Sequence, residues 1–433
     1  MNSALTLVLI AFVIVIAVAI LAPSTVYAQG KPNGGQTGNK PKPDGGQTGN
    51  QGDGGSNGHE GPKTNAGHTP LAPETGDKGN GGSKGQGGLV TNTGYTLELY
   101  GSSSRVPTLG AHLCKTTLLG TWTGKTKTCT CTDVTVTSST LFEIPSKATL
   151  LVTGTFTIDT GVTFENDGNL ALNSAGTGTI NGALTNFGTV QDAGAITVTG
   201  LGGGISSSGA IFITNTGTIT VTNDAEITNS EGGVIASSGE ITLGSGGKIT
   251  NQGAIINNVG GTITISNVGS STIDNLGTID NAGTITINSL GSIHNEYYSD
   301  DNIAYGTITN EYDGSITINS GGGISNQNAA NVIENYGTLT NDGSITNSGW
   351  VYNRSGGTFT NDGTITNNLN LENYGTFTND GIINNNVGGY LYNAGTFDNP
   401  GTVNNYDSVD NVGTWNNTGG GSCTNLSGGT GCP

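Results

Sequence analysis

Between Tyr336 and Asn417 the chain repeats one six-residue phrase: glycine, a small hydroxyl residue, an apolar residue, a polar residue, asparagine and a variable residue. Gly337-Thr338-Leu339-Thr340-Asn341-Asp342 is followed at once by Gly343-Ser344-Ile345-Thr346-Asn347-Ser348. A longer unit of 38 residues carries the phrase, because Glu334-Asn335-Tyr336-Gly337-Thr338 returns as Glu372-Asn373-Tyr374-Gly375-Thr376. That unit has room for six phrases, which is two turns of a three-sided coil of about 19 residues per turn.

The phrase suits such a coil residue by residue. Successive side chains of a strand point to opposite faces, so Leu339, Ile345, Phe359, Ile365 and Phe377 point inward and the flanking Thr or Ser outward. The glycine two positions earlier also points inward, where a second large side chain has no room. The asparagine two positions later reaches the corner, where its amide can bond the matching amide one turn away. Asn and Gly also tolerate the left-handed backbone of tight corners. The expected fold is therefore all-β, a parallel β-solenoid, three-sided and right-handed by the general crossover preference.

Composition fits a coil better than a globule. The 433 residues are 32% hydrophobic and 6% aromatic, with 76 glycines. A compact domain would find this thin, but a solenoid needs about one inward apolar residue per strand. Residues 132–421 give roughly 15 turns and a rod of ~70 Å at the strand spacing. Charge is lopsided: 25 acids follow position 131, against Lys147, Lys248 and Arg354. Such a rod repels phosphate backbones, which excludes nucleic acid as a partner.

In chain order, residues 1–28 resemble an export signal. An apolar run from Ala4 to Ala22 precedes Val26-Tyr27-Ala28, whose small residues place cleavage before Gln29. The run is also long enough to serve as an N-terminal membrane anchor, the single expected membrane contact. Residues 29–88, rich in Gly, Pro and Asn, predict a flexible, disordered linker. Residues 89–131 predict a cap over the open sheet edge. Cys114, Cys129 and Cys131 cluster there, and in an exported chain Cys114 is expected to bridge to one of the other two. Repeats fill 132–421, and 422–433 form a tail that a Cys423–Cys432 bond would close. No metal or other cofactor is expected.

Three features are candidates for contact with partners. An insertion interrupts the coil near Asn295 and gathers Tyr297, Tyr298, Asp300 and Asp301. His294 beside it takes an outward slot and is expected to be an exposed substitution. Tyr336 and Tyr374 lie one 38-residue unit apart, hence on one edge two turns apart, and such rings could grip sugars or simply stiffen the rod. Sequons at Asn353, Asn416 and Asn425 permit N-glycosylation.

The run from about Leu141 to Asn417 resembles the β-helical repeats of filamentous haemagglutinin-like adhesins and autotransporter passengers. The likeness lies in its Gly-Thr-Ile-Thr-Asn phrases, near-19-residue turns and Asn-rich corners. It implies an exported rod displayed at a cell surface for adhesion or coat formation, with lateral self-association among its possible uses. Neither a secretion-partner domain nor a following membrane barrel is recognisable, which points to a single-membrane bacterium or an archaeon.

Three functions compete. The first is a non-catalytic structural or adhesive rod that touches extracellular polysaccharide or cell-envelope components. The second is a carbohydrate-binding module built on the tyrosines. The third, a polysaccharide-degrading β-helix enzyme, fits worst. A lyase wants a basic residue, where Arg354 is isolated in sequence, and a hydrolase wants paired carboxylates. Here Asp342, Asp362 and Asp380 sit in turn positions. Outward threonines also resemble ice-binding solenoids, but Tyr and Asp variation from corner to corner predicts no lattice-matching face.

Overall fold

A computed structural model describes residues 96–97, 108–137, 142–266, 268–296 and 305–433. The signal or anchor at 1–28 and the linker at 29–88 lie outside these residues. The described residues belong to one compact unit, Gln86–Pro433. Among the described residues three sheets run its length, with 15, 14 and 15 strands, and every third strand in sequence is a parallel neighbour in space, apart from one antiparallel pair of consecutive strands at the start of the third sheet. In one turn the chain passes from face A (Thr338–Asn341) to face B (Ser344–Asn347) to face C (Trp350–Asn353), then returns to face A at Thr358. The three-sided parallel solenoid that the phrase predicts is the fold.

Inside, the phrase works as its residue types require. The apolar residue of each strand is buried, from Val134 to Val409, in one continuous core. The asparagine that ends most later strands is fully buried as well. Its Nδ2 donates to the Oδ1 of the asparagine one turn on: Asn326 to Asn347 at 2.8 Å, Asn347 to Asn367 at 2.8 Å and Asn367 to Asn385 at 2.7 Å. The same Nδ2 also donates to a backbone carbonyl across the corner, as Asn347 does to Asn370 at 2.8 Å. A buried amide is costly unless bonded, and here both of its ends are used. The first asparagine of each long column (Asn229, Asn257, Asn341) has an Oδ1 with no partner within the described protein. Ser207, Ser237 and Ile318 precede them in register.

Core volume is conserved by exchange between slots. On face A the inward slot at the end of the strand holds Ile265, Ile287 and Ile318, then becomes Asn341, Asn361 and Asn379. One turn after asparagine enters, the other inward slot enlarges from Leu339 to Phe359, then Phe377, Phe397 and Trp415. Successive rings have centroids 4.5, 4.8 and 4.1 Å apart, the first pair tilted and the other two stacked. The phrase glycines are required by close approach. A Cβ at Gly381 would strike the carbonyl oxygen of Gly363, and one at Gly395 that of Gly375.

Both ends of the coil extend past the sequence-based boundaries. Thr128–Cys131 pairs antiparallel with Thr121–Thr123 and stacks in parallel on Thr149–Val152, so face C begins within the expected cap. Thr96–Leu97 heads face A. A six-residue helix, Ala111–Thr116, brings Cys114 to Cys129, and the two form a disulfide. Cys131 stays reduced and buried with its Sγ 3.3 Å from that of Cys129, and burial pushes its thiol up to about 11. At the other end Ser422–Asn425 adds a last strand to face B. There Cys423 takes the inward slot next to Val403, and its bond to Cys432 folds the chain end back beneath the core.

Two stability predictions follow from these contacts. Asn367→Ala, which strands the Asn347 donor, should cost about 1–3 kcal/mol, whereas Thr366→Ala on the outside should stay within about 0.5 kcal/mol. Denaturant midpoints of the two variants compare them. The second concerns Asp192, which is buried between Leu172 and Ile213 in register. Burial pushes its carboxyl up to about 6, against the lowering effect of hydrogen bonds from the Gly194 and Thr218 backbone. An acid whose folded value is raised gives most stability below its unfolded value and loses it as pH rises. Stability should therefore fall between about pH 4 and pH 6, by roughly 1.4 kcal/mol per unit. Asp192→Asn should flatten that interval in thermal melts across pH.

Candidate functional site

The outward residues of face C change character from Val332 onward. Register aligns Glu334, Tyr352, Glu372, Tyr392 and Asp410 in one column, so acid and tyrosine alternate turn by turn. The alternation is the 38-residue unit seen in three dimensions, since that unit spans two turns. The neighbouring outward column holds Trp350 and Tyr390. Trp350 lies near-parallel to Tyr352, with centroids 5.6 Å apart and planes 18° apart, and Tyr390 to Tyr392 at 6.1 Å and 19°. Two aromatic pairs thus stand two turns apart, about 10 Å at the strand spacing. Asn370 and Glu372 occupy the turn between them.

Charged groups bind the rings together. Arg354 donates from Nε to Glu334 at 3.1 Å and also from Nη2, and its guanidinium lies 3.9 Å over the Tyr352 ring. The sequence-based reading of Arg354 as isolated is therefore corrected, because its partners lie one turn back and two positions before it. Tyr374 donates its hydroxyl to Glu372 at 2.6 Å, and Tyr390 donates to Asp410 at 3.2 Å. The Glu372 bond, with burial second, pushes the Tyr374 phenol up to about 12. Glu334 is neutralised by Arg354. Glu372 and Asp410 are held by phenols alone, so the platform is anionic.

Tyr336 and Tyr374 stand at the same corner two turns apart, as their spacing predicts. They do not form one continuous stack: Tyr336 packs at a tilt on Tyr312 and Tyr374 on Tyr392. Tyr297, Tyr298, Asp300 and Asp301 lie outside the described residues. The chain leaves the coil after Asn295 and rejoins it at Gly306, whose N–H donates to the Glu296 carbonyl at 3.1 Å. The sequence shows Trp350 and Tyr390 among the aromatics that thicken past Gly306, but gives neither of them a partner and the acids between the rings no role. Halving the 38-residue unit would have revealed the acid–tyrosine alternation.

Two further expectations need correction. Asn353 is fully buried and donates to Asn373 at 2.8 Å, so in the folded chain it offers no amide for glycosylation. Asn416 and Asn425 are exposed. His294 is not a bare surface substitution. It is half-buried on face B, its Nδ1 3.1 Å from Asp274 Oδ1 and its Nε2 3.0 Å from Ser292 Oγ. Lys248 Nζ binds Asp274 Oδ2 at 2.8 Å, and Glu296 lies 3.8 Å from His294 Nδ1.

The donor atoms of Asp274, His294 and Glu296 lie within 4.8 Å of one another. The Lys248 ammonium already neutralises the central carboxylate, so the group is complete as an ion-pair ladder. Burial alone would raise the Asp274 carboxyl, but hydrogen bonds from His294 and Lys248 hold it below the usual range. The three clustered cysteines offer one thiol, because Cys114 and Cys129 are joined. The open depression lined by Thr366, Asn384, Asn386, Val387 and Tyr406 contains no carboxylate.

Fold and platform together define a three-sided parallel β-solenoid with one aromatic, acidic face. No protein-family model matches the chain, and no characterised protein matches its sequence. Among solved structures it is similar to a hyper-glycosylated fragment of TibA, modified by TibC. The match is 22% identical with a TM-score of 0.32, and covers 64% of this chain and 97% of that one. At that score the likeness adds nothing to the functional reading.

The bond to Asp274 chiefly raises the His294 imidazole above its ordinary value. A raised base stabilises the fold fully below its unfolded value, near 6.5, and loses that contribution as pH rises through the folded value. Thermal melts should therefore show stability declining just above pH 6.5, and His294→Gln should remove that decline while leaving the Asp192 interval at lower pH intact.

Proposed function

We propose that this chain is a non-catalytic, exported cell-surface rod that adheres to polysaccharide through face C. The observation that carries the reading is the pair of near-parallel aromatic couples, Trp350/Tyr352 and Tyr390/Tyr392, with a hydrogen-bonding turn between them. Rings of this kind offer apolar faces to the C–H faces of sugars, and the amide and carboxylates between them suit sugar hydroxyls. The interval of about 10 Å between the couples is comparable with a disaccharide in an extended glycan. Because Glu372 and Asp410 lack a cation partner, a neutral or amino-bearing glycan fits better than a uronic acid polymer.

Non-catalytic adhesion is favoured over hydrolysis by the state of the acids. Glu334 is tied to Arg354, Glu372 to Tyr374 and Asp410 to Tyr390. Each is held on an open face, without a cleft to exclude water from a reacting bond. Export and surface display rest on the N-terminal apolar run and on the disulfides, which suit an oxidising compartment.

The test is retention of the purified, oxidised full chain on neutral, amino-bearing and acidic insoluble polysaccharides, with released reducing ends measured in the same samples. Retention on a neutral or amino glycan without products is expected. Trp350→Ala or Tyr392→Ala should weaken it roughly three- to tenfold per ring. Release of reducing ends would overturn the non-catalytic reading, and retention indifferent to both substitutions would overturn the assignment to face C.

A further inference from the structure

Face A carries a pattern that the adhesive reading does not use. Its second outward column is threonine on twelve consecutive turns, from Thr135 to Thr378, aligned residue to residue. The first outward column is also threonine from Thr155 to Thr414, apart from Ala195, Glu240 and Ser315. We propose that face A is an ice-binding plane, whose threonine columns engage the surface lattice of crystalline water.

Strand propensity does not account for the pattern. Threonine favours strands on every face alike, yet the equivalent outward column holds Gln191, Phe212, Asp280 and Glu334 on face C. On face B it includes Asp274 and His294. The requirement for threonine is specific to one side of the rod. From Thr135 to Thr378 the second outward column of face A is free of the tyrosine and aspartate variation that argues against a lattice-matching face; that variation lies on faces B and C and at corners such as Asp342 and Asp362, and enters this column at Asp398.

The chemistry of face A suits an uncharged, periodic ligand. From Thr262 to Thr378 neither column contains an ionisable residue, although the rod carries 25 acids. Among the described residues, Thr242 alone in the second column gives its hydroxyl to a protein partner, Glu240 at 2.7 Å. The other hydroxyls of that column are left for what lies outside. Rungs repeat every ~4.8 Å along the rod, and the two columns stand ~6.6 Å apart along the strand. Both intervals lie within about a tenth of the oxygen repeats on prism faces of hexagonal ice. Threonine is stiff at its first side-chain torsion, so the array loses little freedom on binding.

The periodicity also selects among occupants. A column twelve rungs long gains from its length only against a ligand with the same repeat, and an ice surface supplies one. A second copy of the rod would bring a similarly acidic body against this one. Among the described residues, a crystalline glycan would find no outward aromatic ring in the strands of face A.

The experiment follows the full chain during slow freezing, scoring its incorporation into growing ice and its inhibition of ice recrystallisation. One double variant, Thr264→Tyr with Thr286→Tyr, disrupts face A. Another, Thr346→Tyr with Thr366→Tyr, makes the same change on face B. Tyrosine is a good strand former, and circular dichroism with thermal melts verifies that both variants fold. Incorporation by the parent chain and the face B variant, with the face A variant falling to the level of an inert protein, is the expected result. Exclusion of the parent chain from ice, or equal loss in both variants, would overturn the proposal. So would self-association in sedimentation, or retention on a crystalline glycan, abolished by the face A variant alone. Trp350→Ala on face C should leave ice incorporation unchanged, so this inference and the adhesive reading fail separately.

Discussion

The buried asparagine amide is the contact on which the rest of this rod depends. Backbone bonds between stacked strands would tolerate more than one register, because every rung offers the same groups. A fully buried amide does not: it must meet both a neighbouring amide and a corner carbonyl, or leave polar atoms unsatisfied. Asn347, bonded from Asn326, to Asn367 and to the Asn370 carbonyl, fixes its turn relative to the one before and the one after. Each outward column inherits that alignment. The acid–tyrosine alternation on face C and the threonine columns on face A exist as ordered arrays because residues inside the coil hold successive turns in step.

The cost of polar residues in the core is met locally. From the turn after Asn341 replaces the isoleucine line of face A, Phe359, Phe377 and Phe397 supply the apolar volume in the other inward slot. The glycines complete the arrangement by bringing successive corners into backbone contact. Asp192 is the exception within this scheme. It is a carboxyl in an inward slot between aliphatic neighbours, and the result is a stability that depends on pH.

How much of this was legible in the sequence depends on which dimension carried the information. Contacts along the chain were clear: the 38-residue unit gave the number of sides, the inward residues, the amide ladder and the shared corner of Tyr336 and Tyr374. Contacts between turns were less so, because turns differ in length. Ser292 aligns with Gly323 across the insertion, whereas Thr364 aligns with Ile382 only 18 residues on. Until those lengths are known, Arg354 cannot be assigned to Glu334, nor His294 to Asp274. Asn353 shows a related limit, since its tripeptide matches a glycosylation signal and its place in the ladder withdraws it. The threonine columns were visible as composition but not as a property of one face.

The direction of the bonds has a mechanical meaning. Hydrogen bonds between turns run along the rod, so tension applied through the chain end loads the last strand first and leaves the interior turns unstressed. The Cys423–Cys432 bond, whose cysteines lie nine positions apart in sequence, carries such a pull past the intervening loop directly onto Ser422–Asn425. Beyond that point the coil would unspool turn by turn, each freeing about 19 residues and ~60 Å of slack. Under load the last turns would lengthen the rod in near-even steps, and the longer turn that carries the 296–306 insertion would break that rhythm; on release each turn would rewind against an intact template.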